Sequence, residues 1–196
     1  MEQIREFDLV IVLTLLAMFI VGYAQGTVRR LLGIAAIVFS LILGAQLRQP
    51  LGEYLSQEWS TIAPAYSFMV AFGAIFLASA VTLSIAIQIT YHPAPLFKKY
   101  PILDEIVGGI LGVIEGVIIL VAILLILDPY YTQQGVRERA GIGEFGLLRT
   151  LHGFLDPTLT AAILRDNVIP VVMAILGFLF PQDVRNTFAR VLLARH

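Results

Sequence analysis

The sequence predicts an all-α membrane protein, a four-transmembrane-helix up-down bundle followed by a C-terminal amphipathic helical tail. Of its 196 residues, 58% are hydrophobic and 14% are charged, whereas soluble domains are about 45–50% apolar and about 25% charged. Four apolar runs are also long enough to cross a bilayer, which takes about 20 residues of α-helix. These runs cover residues 7–24, 31–47, 65–90 and 106–127.

Short connections between the runs support the bundle. Residues 25–30, 48–64 and 91–105 link successive runs, and short links between long helices make neighbours antiparallel. The first run is expected to be retained as a membrane anchor, because residues 1–6 are not clearly basic and no A-x-A cleavage site follows it. We therefore predict a transmembrane domain at residues 1–130 and a membrane-associated tail at residues 131–196.

The tail is expected to form short amphipathic helices. Asp156 before Pro157 is typical of a helix N-cap followed by an N1 proline. The apolar stretch at 168–180 has thirteen residues, too few to span a bilayer, and the polar segment at 165–167 resists its extension into the membrane. Two interpretations are open. The tail helices pack on one another, or they form a lid on the membrane surface or on a partner.

Small residues at four-residue spacing predict where the helices pack. Gly108, Gly112 and Gly116 form such a stripe in the fourth run, and Gly22 and Gly26 end the first. In lipid, small residues let helix backbones approach closely. Similar small faces occur in the second run, at Ala36, Ser40 and Gly44, and in the third, at Ala74, Ala78, Thr82 and Ala86. The stripes either pack the helices of one chain together or join two copies into a homo-oligomer.

A carboxylate inside the fourth run is the main candidate for a functional group. Glu115 falls near the middle of the run, where a charge costs about 2.5–3.5 kcal/mol on insertion scales. Asp104 lies eleven residues earlier, close to three turns, so both carboxylates share the glycine face. This candidate polar site, helped by Ser40, Thr82 or Gln88, either binds a proton or a cation or is structural. In the structural interpretation Glu115 is neutral and hydrogen-bonded to a hydroxyl or a backbone carbonyl.

Neither the composition nor the motifs point to catalysis, a metal, a cofactor or a nucleic acid. The chain has no cysteine, which excludes thiol catalysis and thiolate metal sites. Its three histidines are scattered, and it contains neither an H-E-x-x-H motif nor a phosphate-binding loop. A net charge of −1 does not suggest the basic face of a nucleic-acid binder. We expect a non-enzymatic protein whose partners are the lipid bilayer and other proteins or a second copy.

Basic residues in the short links predict the orientation. Arg29 and Arg30 form one compact pair, and Lys98 and Lys99 form another on the same side of the bundle. Because lysine and arginine are enriched in cytoplasmic loops, these four residues are the expected cytoplasmic-side anchors. Both termini would then be extracytoplasmic.

Three segments occur in an order that also characterises a known family. Phe7 and Asp8 open the first run, residues 22–30 read GYAQGTVRR, and Leu103 and Asp104 precede the glycine stripe of the fourth run. Together they resemble the colicin V production protein (CvpA) family over roughly residues 7–130. One position departs from the family pattern: many members carry a basic residue just before the last glycine, where this chain has Glu115.

The resemblance implies a multi-pass protein of the bacterial inner membrane with its tail outside the cytoplasm. It also implies a part in colicin V (toxin) production or export and in envelope homeostasis. Two hypotheses about function follow. The protein is an accessory factor that acts through protein partners, or it is a small proton- or solute-coupled transporter that uses Glu115.

Overall fold

The computed structural model describes residues 6–60, 62–91, 96–97, 100–131, 144–182 and 184–186, and every regular element in this part is helical. Four long helices come first: α1 (Glu6–Gln25), α2 (Thr27–Glu58), α3 (Pro64–Thr90) and α4 (Pro101–Tyr131). A short α5 (Gly146–Leu155) follows. The last, α6 (Leu159–Leu179), has a π-helical turn at Leu164–Val168 and a 3₁₀ turn at Gly177–Leu179. The predicted all-α fold is confirmed, and its long helices are apolar enough to cross a membrane.

The helix α2 is longer than the sequence predicts. The second apolar run ends at residue 47, but α2 continues through Pro50 to Glu58, so most of the predicted 48–64 connection is helix. Its 32 residues give a length of about 48 Å, against a hydrocarbon thickness of about 30 Å. The C-terminal end of α2 therefore extends beyond the apolar layer.

The start predicted for the apolar helix of the tail, at residue 168, is also wrong. The helix begins at Leu159, not at residue 168, and reaches 21 residues, so five helices of the described chain are long and apolar enough to cross a membrane. Its N-cap is Thr158, whose Oγ1 accepts from the Ala161 N–H at 3.1 Å. Asp156 instead ends α5. The polar 165–167 segment did not stop the helix because Arg165 is ion-paired inside the protein.

Side-chain contacts show an up-down order for the four long helices. Gly22 of α1 packs on Gly108 of α4, and Leu15 packs on Gly116, so α1 and α4 are antiparallel. On the other side α4 packs against α2, and α3 packs mainly against α2. We name the two ends of the bundle after residues there. The Gly26 end is where α1 and α3 finish and α2 and α4 begin. The Asp128 end is the opposite one, where α4 finishes.

The hydrophobic core is thickest toward the Asp128 end. Leu41, Phe72 and Leu125 from three long helices are almost fully buried, and Ile169 and Phe180 from the tail join the same cluster. The tail also contacts α2 directly, where the Gln46 side chain donates to the Leu179 carbonyl at 2.7 Å. The α6 helix is therefore packed on the bundle.

Glycines bring α1 and α4 into backbone contact. A methyl group built at Gly108 would lie 2.6 Å from the Gly22 carbonyl oxygen and 2.9 Å from the Gly26 Cα. One built at Gly112 would lie 3.2 Å from the Gly22 Cα. Because the obstructing atoms belong to the backbone, no side-chain rotation makes room. The stripe thus packs two helices of one chain.

The third helix does not use its small residues for packing. Ala74, Ala78, Thr82 and Ala86 are all exposed, so the small inward face predicted for α3 is wrong. Instead α3 contributes large side chains: the Phe72 ring packs against Gly44, and the Phe68 ring packs against Gly52. Since the glycines of α2 already provide the space, the facing helix needs bulk rather than small residues. The small face of α2 at Ala36, Ser40 and Gly44 is buried as predicted.

Replacement of Gly108 by alanine should weaken the α1–α4 contact. The added methyl overlaps the Gly22 carbonyl oxygen, and overpacking of this kind costs about 1–3 kcal/mol. We expect a fall of that size in the free energy of unfolding, measured by SDS titration in mixed micelles. The matched control is Gly153→Ala, because a methyl at Gly153 has no neighbour within 4 Å. Equal stability of both variants would contradict the backbone contact.

Candidate functional site

Polar side chains are buried in two clusters at opposite ends of the bundle. At the Gly26 end the cluster contains Asp104, Arg30 and Glu115, and at the Asp128 end it contains Asp128, Arg165, His152 and Asp8. All of these except Glu115 are less than 9% exposed. Charges inside a membrane protein are costly and mark functional or structural sites by default.

Asp104 fixes the turn between α1 and α2. Gly26 adopts φ 77°, a left-handed conformation that favours glycine, and a methyl there would lie 2.5 Å from Asp104 Oδ2. The Thr27 N–H donates to Asp104 Oδ2 at 3.4 Å, and Thr27 Oγ1 donates to the Asp104 carbonyl at 3.0 Å. Asp104 Oδ1 accepts from the Leu96 N–H at 3.1 Å. The carboxylate thus anchors the start of α2 and the segment before α4.

Glu115 forms an ion pair with Arg30. Arg30 Nη1 donates to Glu115 Oε2, and the two side chains are only 7% and 12% exposed. Gly33 leaves the room for the carboxylate, because a methyl there would lie 2.8 Å from Glu115 Oε1. Of the two interpretations of Glu115, the structural one gave it a hydroxyl or carbonyl partner, and in the structure its partner is an arginine.

The other residues of the predicted polar site are dispersed. Asp104 and Glu115 each have partners of their own. Ser40 donates to the Ala36 carbonyl of its own helix, and Thr82 is exposed on α3. Only Gln88 lies near Glu115, in the wall of the same cleft.

A polar cleft of about 160 Å³ opens beside the Arg30–Glu115 pair. Among the described residues, the charged side chains that line it are Arg29, Arg30 and Glu115. The cleft is lined by Gln25, Arg29, Arg30, Gly33, Ser84, Ile87, Gln88 and Glu115. All four long helices contribute to it, so it is a product of the folded bundle.

The predicted basic anchors therefore differ in their surroundings. Arg29 is half-buried in the cleft wall, whereas Arg30 is 6% exposed and lies inside the bundle. Lys98 and Lys99 lie outside the described residues.

At the opposite end, Asp128 is fully buried and joins α4 to the tail. Arg165 Nε and Nη2 each donate to the Asp128 carboxylate at 2.7 Å, which is the two-pronged geometry of a strong arginine–carboxylate pair. His152 Nε2 lies 3.2 Å from Asp128 Oδ1, and its ring stacks on Tyr131. Arg165 also pairs with Asp156 at 3.0 Å. Thus α4, α5 and α6 meet at one carboxylate.

Asp8 attaches the first helix to the last one. Its Oδ2 accepts from the Leu159 N–H at 3.2 Å, and its Oδ1 accepts from the Thr160 N–H at 3.0 Å and from Thr160 Oγ1 at 2.8 Å. These are the first amides of α6, which a carboxylate at a helix N-terminus stabilises. The sequence placed Asp8 in the first turn of its own helix, and the structure adds this distant partner.

The Asp128 cluster was missed because the tail was divided at Arg165. A usable signal was present: an arginine between apolar segments 159–164 and 168–176 needs a buried carboxylate, and Asp128 ends the fourth apolar run. Among the described residues, no group of three histidine, aspartate or glutamate side chains is placed to hold a metal ion.

Replacement of Asp128 by asparagine should destabilise the protein strongly. An amide cannot balance the buried Arg165 charge, and breaking such a pair costs about 3–5 kcal/mol. We expect this loss in the free energy of unfolding, again by SDS titration. The neighbouring Asp166 is exposed, so Asp166→Asn is the charge-matched control and should change stability far less. A small effect of Asp128→Asn would refute the role given to the pair.

Comparison with known proteins gives one match. The family model described as colicin V production protein matches residues 7–138. The matched region contains all four long helices, Asp104, Glu115 and Asp128, and it ends before α5. No curated protein and no solved structure matches the chain.

Proposed function

Because this chain belongs to the colicin V production protein family, we propose that it is an accessory protein of the bacterial inner membrane that supports colicin V or toxin production or export. In this proposal it performs no catalysis and acts through protein partners, with envelope homeostasis as the wider role. In this proposal α6 packs along the bundle without crossing the membrane, since Leu179 at its end contacts Gln46 in the second half of α2. The Gly26 end faces the cytoplasm, and both termini lie outside it.

The observation that supports this role best is the distribution of charge and apolar surface. The buried carboxylates hold other parts of the same chain: Glu115 holds Arg30, Asp128 holds Arg165, and Asp8 holds the start of α6. Meanwhile large apolar side chains such as Leu13 and Ile20 of α1 are more than half exposed. A bundle with internally balanced charges and an apolar exterior suits a protein that is embedded in lipid and contacts other membrane proteins.

A complementation experiment tests the accessory role. Active toxin in the culture supernatant is measured in a colicin V-producing strain that lacks its own family member. We expect the wild-type chain to restore export and Gly112→Leu to fail, because bulk at Gly112 separates α1 from α4. Gly153→Leu is the matched control and should restore export. The proposal would be overturned if the strain exported the same amount of toxin with the wild-type chain, with either variant and with none of them.

The polar cleft favours a second candidate function, proton or solute transport through Glu115. Proton flux into liposomes separates it from the accessory role, with wild type, Glu115→Gln and the double variant Arg30→Gln with Glu115→Gln compared. The double variant is needed because Glu115→Gln alone leaves the Arg30 charge unbalanced. We expect no flux above protein-free liposomes for any of the three. A flux that requires Glu115 would establish transport instead.

A further inference from the structure

The cleft at the Gly26 end contains more positive than negative charge. Two guanidinium groups, Arg29 and Arg30, and one carboxylate, Glu115, line it. The carboxylate is engaged by Arg30, whereas the ion pairs found within the described residues do not include Arg29. The described side chains that line the cleft therefore carry a formal net charge of about +1, centred on the half-buried Arg29.

Hydrogen-bond donors surround this charge. The Gln25 and Gln88 amides and the Ser84 hydroxyl line the same cleft. Arg30 Nε is buried, and no acceptor among the described residues forms a hydrogen bond with it. Buried polar atoms without partners are uncommon in folded proteins and call for an explanation. Spare donors next to excess positive charge suit an anion better than a cation.

The position of the cleft indicates what kind of anion can reach it. Gln25 is the last residue of α1, Arg29 is in the first turn of α2, and Gln88 is in the last turn of α3. In a membrane-spanning bundle, helix ends lie near the lipid headgroups. No residue of α3 after Phe76 is buried, so the α3 wall of the cleft has lipid on its outer side.

The cleft is also large enough for a phosphate group. Its volume of about 160 Å³ is several times the roughly 30 Å³ that one water molecule occupies in the liquid. Arginine is the side chain best matched to phosphate oxygens, because its planar fork can donate to two of them. Basic pockets between transmembrane helices on the cytoplasmic side are known sites for anionic headgroups.

We propose that this cleft binds a phosphate-bearing anion, whose source is the headgroup of an anionic phospholipid or a free phosphate ester, with Arg29 as the main contact. Arg30 supplies a second guanidinium and Glu115 positions it. This site goes beyond the accessory role in toxin production and does not depend on it, because ligand binding is measured on the purified protein.

Ligand-dependent thermal unfolding of the full chain in an uncharged detergent tests the site. The probes are dioleoylphosphatidylglycerol, the zwitterionic dioleoylphosphatidylcholine and glycerol phosphate. We expect phosphatidylglycerol to stabilise the wild type at concentrations at least 10-fold lower than phosphatidylcholine does. Arg29→Gln should weaken that binding by about 10-fold or more, as expected when a charged hydrogen bond is lost. Arg149→Gln, at a side chain that is 58% exposed on α5, removes the same charge and should leave it unchanged.

Further arms identify the source of the phosphate and check the fold. Binding of glycerol phosphate with the same dependence on Arg29 would support a free phosphate ester, and binding of phosphatidylglycerol alone would support a lipid headgroup. Arg29→Lys keeps the charge without the planar fork and should retain part of the affinity. Partial affinity in Arg29→Lys would show that the loss of binding in Arg29→Gln comes from the lost charge and not from misfolding. The proposal is overturned if the protein binds neither phosphatidylglycerol nor glycerol phosphate more tightly than phosphatidylcholine. It is also overturned if Arg149→Gln loses as much affinity as Arg29→Gln.

Discussion

The balancing of charge inside an apolar bundle is the constraint on which this structure depends. A carboxylate or guanidinium in lipid is costly, and removal of one member of a buried pair is costlier than never having either. Asp128 and Arg165 show the effect most clearly. Once the two meet at 2.7 Å, an arginine can lie within a 21-residue apolar helix. The pair thereby holds the tail against α4.

Close backbone contact makes the second set of pairs possible. The α1–α4 interface has glycine on both sides, and glycine on one side of an interface lets a facing backbone approach as no other residue does. That approach places Gly26 against Asp104 and so fixes the start of α2. Arg30 then lies one turn farther along α2, within reach of Glu115. The close packing of α1 on α4 thus also brings the Arg30–Glu115 ion pair together.

Much of the fold could be predicted from the sequence, and the reasons for the misses are physical. Length and hydropathy identified α1, α3 and α4, because spanning helices need continuous apolar runs. The same criterion shortened α2 and divided α6, because it counts Arg48, Pro50 and Arg165 as breaks and cannot see their three-dimensional surroundings. Glu115 could be singled out from the sequence, since a charge in a long apolar run is a local signal. Its partner Arg30 was interpreted as a cytoplasmic-side anchor in a short link, because a pair separated by 85 residues leaves no local pattern.

The attachment of Asp8 to α6 has a consequence for the order in which the protein is made. Asp8 leaves the ribosome well before its partners at Leu159 and Thr160, which are more than 150 residues later in the chain. The first helix must therefore enter the membrane long before these amides exist. Completion of the native state is thus coupled to completion of synthesis. A chain that stops before residue 159 lacks both the α6 amides for Asp8 and the Arg165 guanidinium for Asp128, so the contacts that attach the tail to α1 and α4 cannot form.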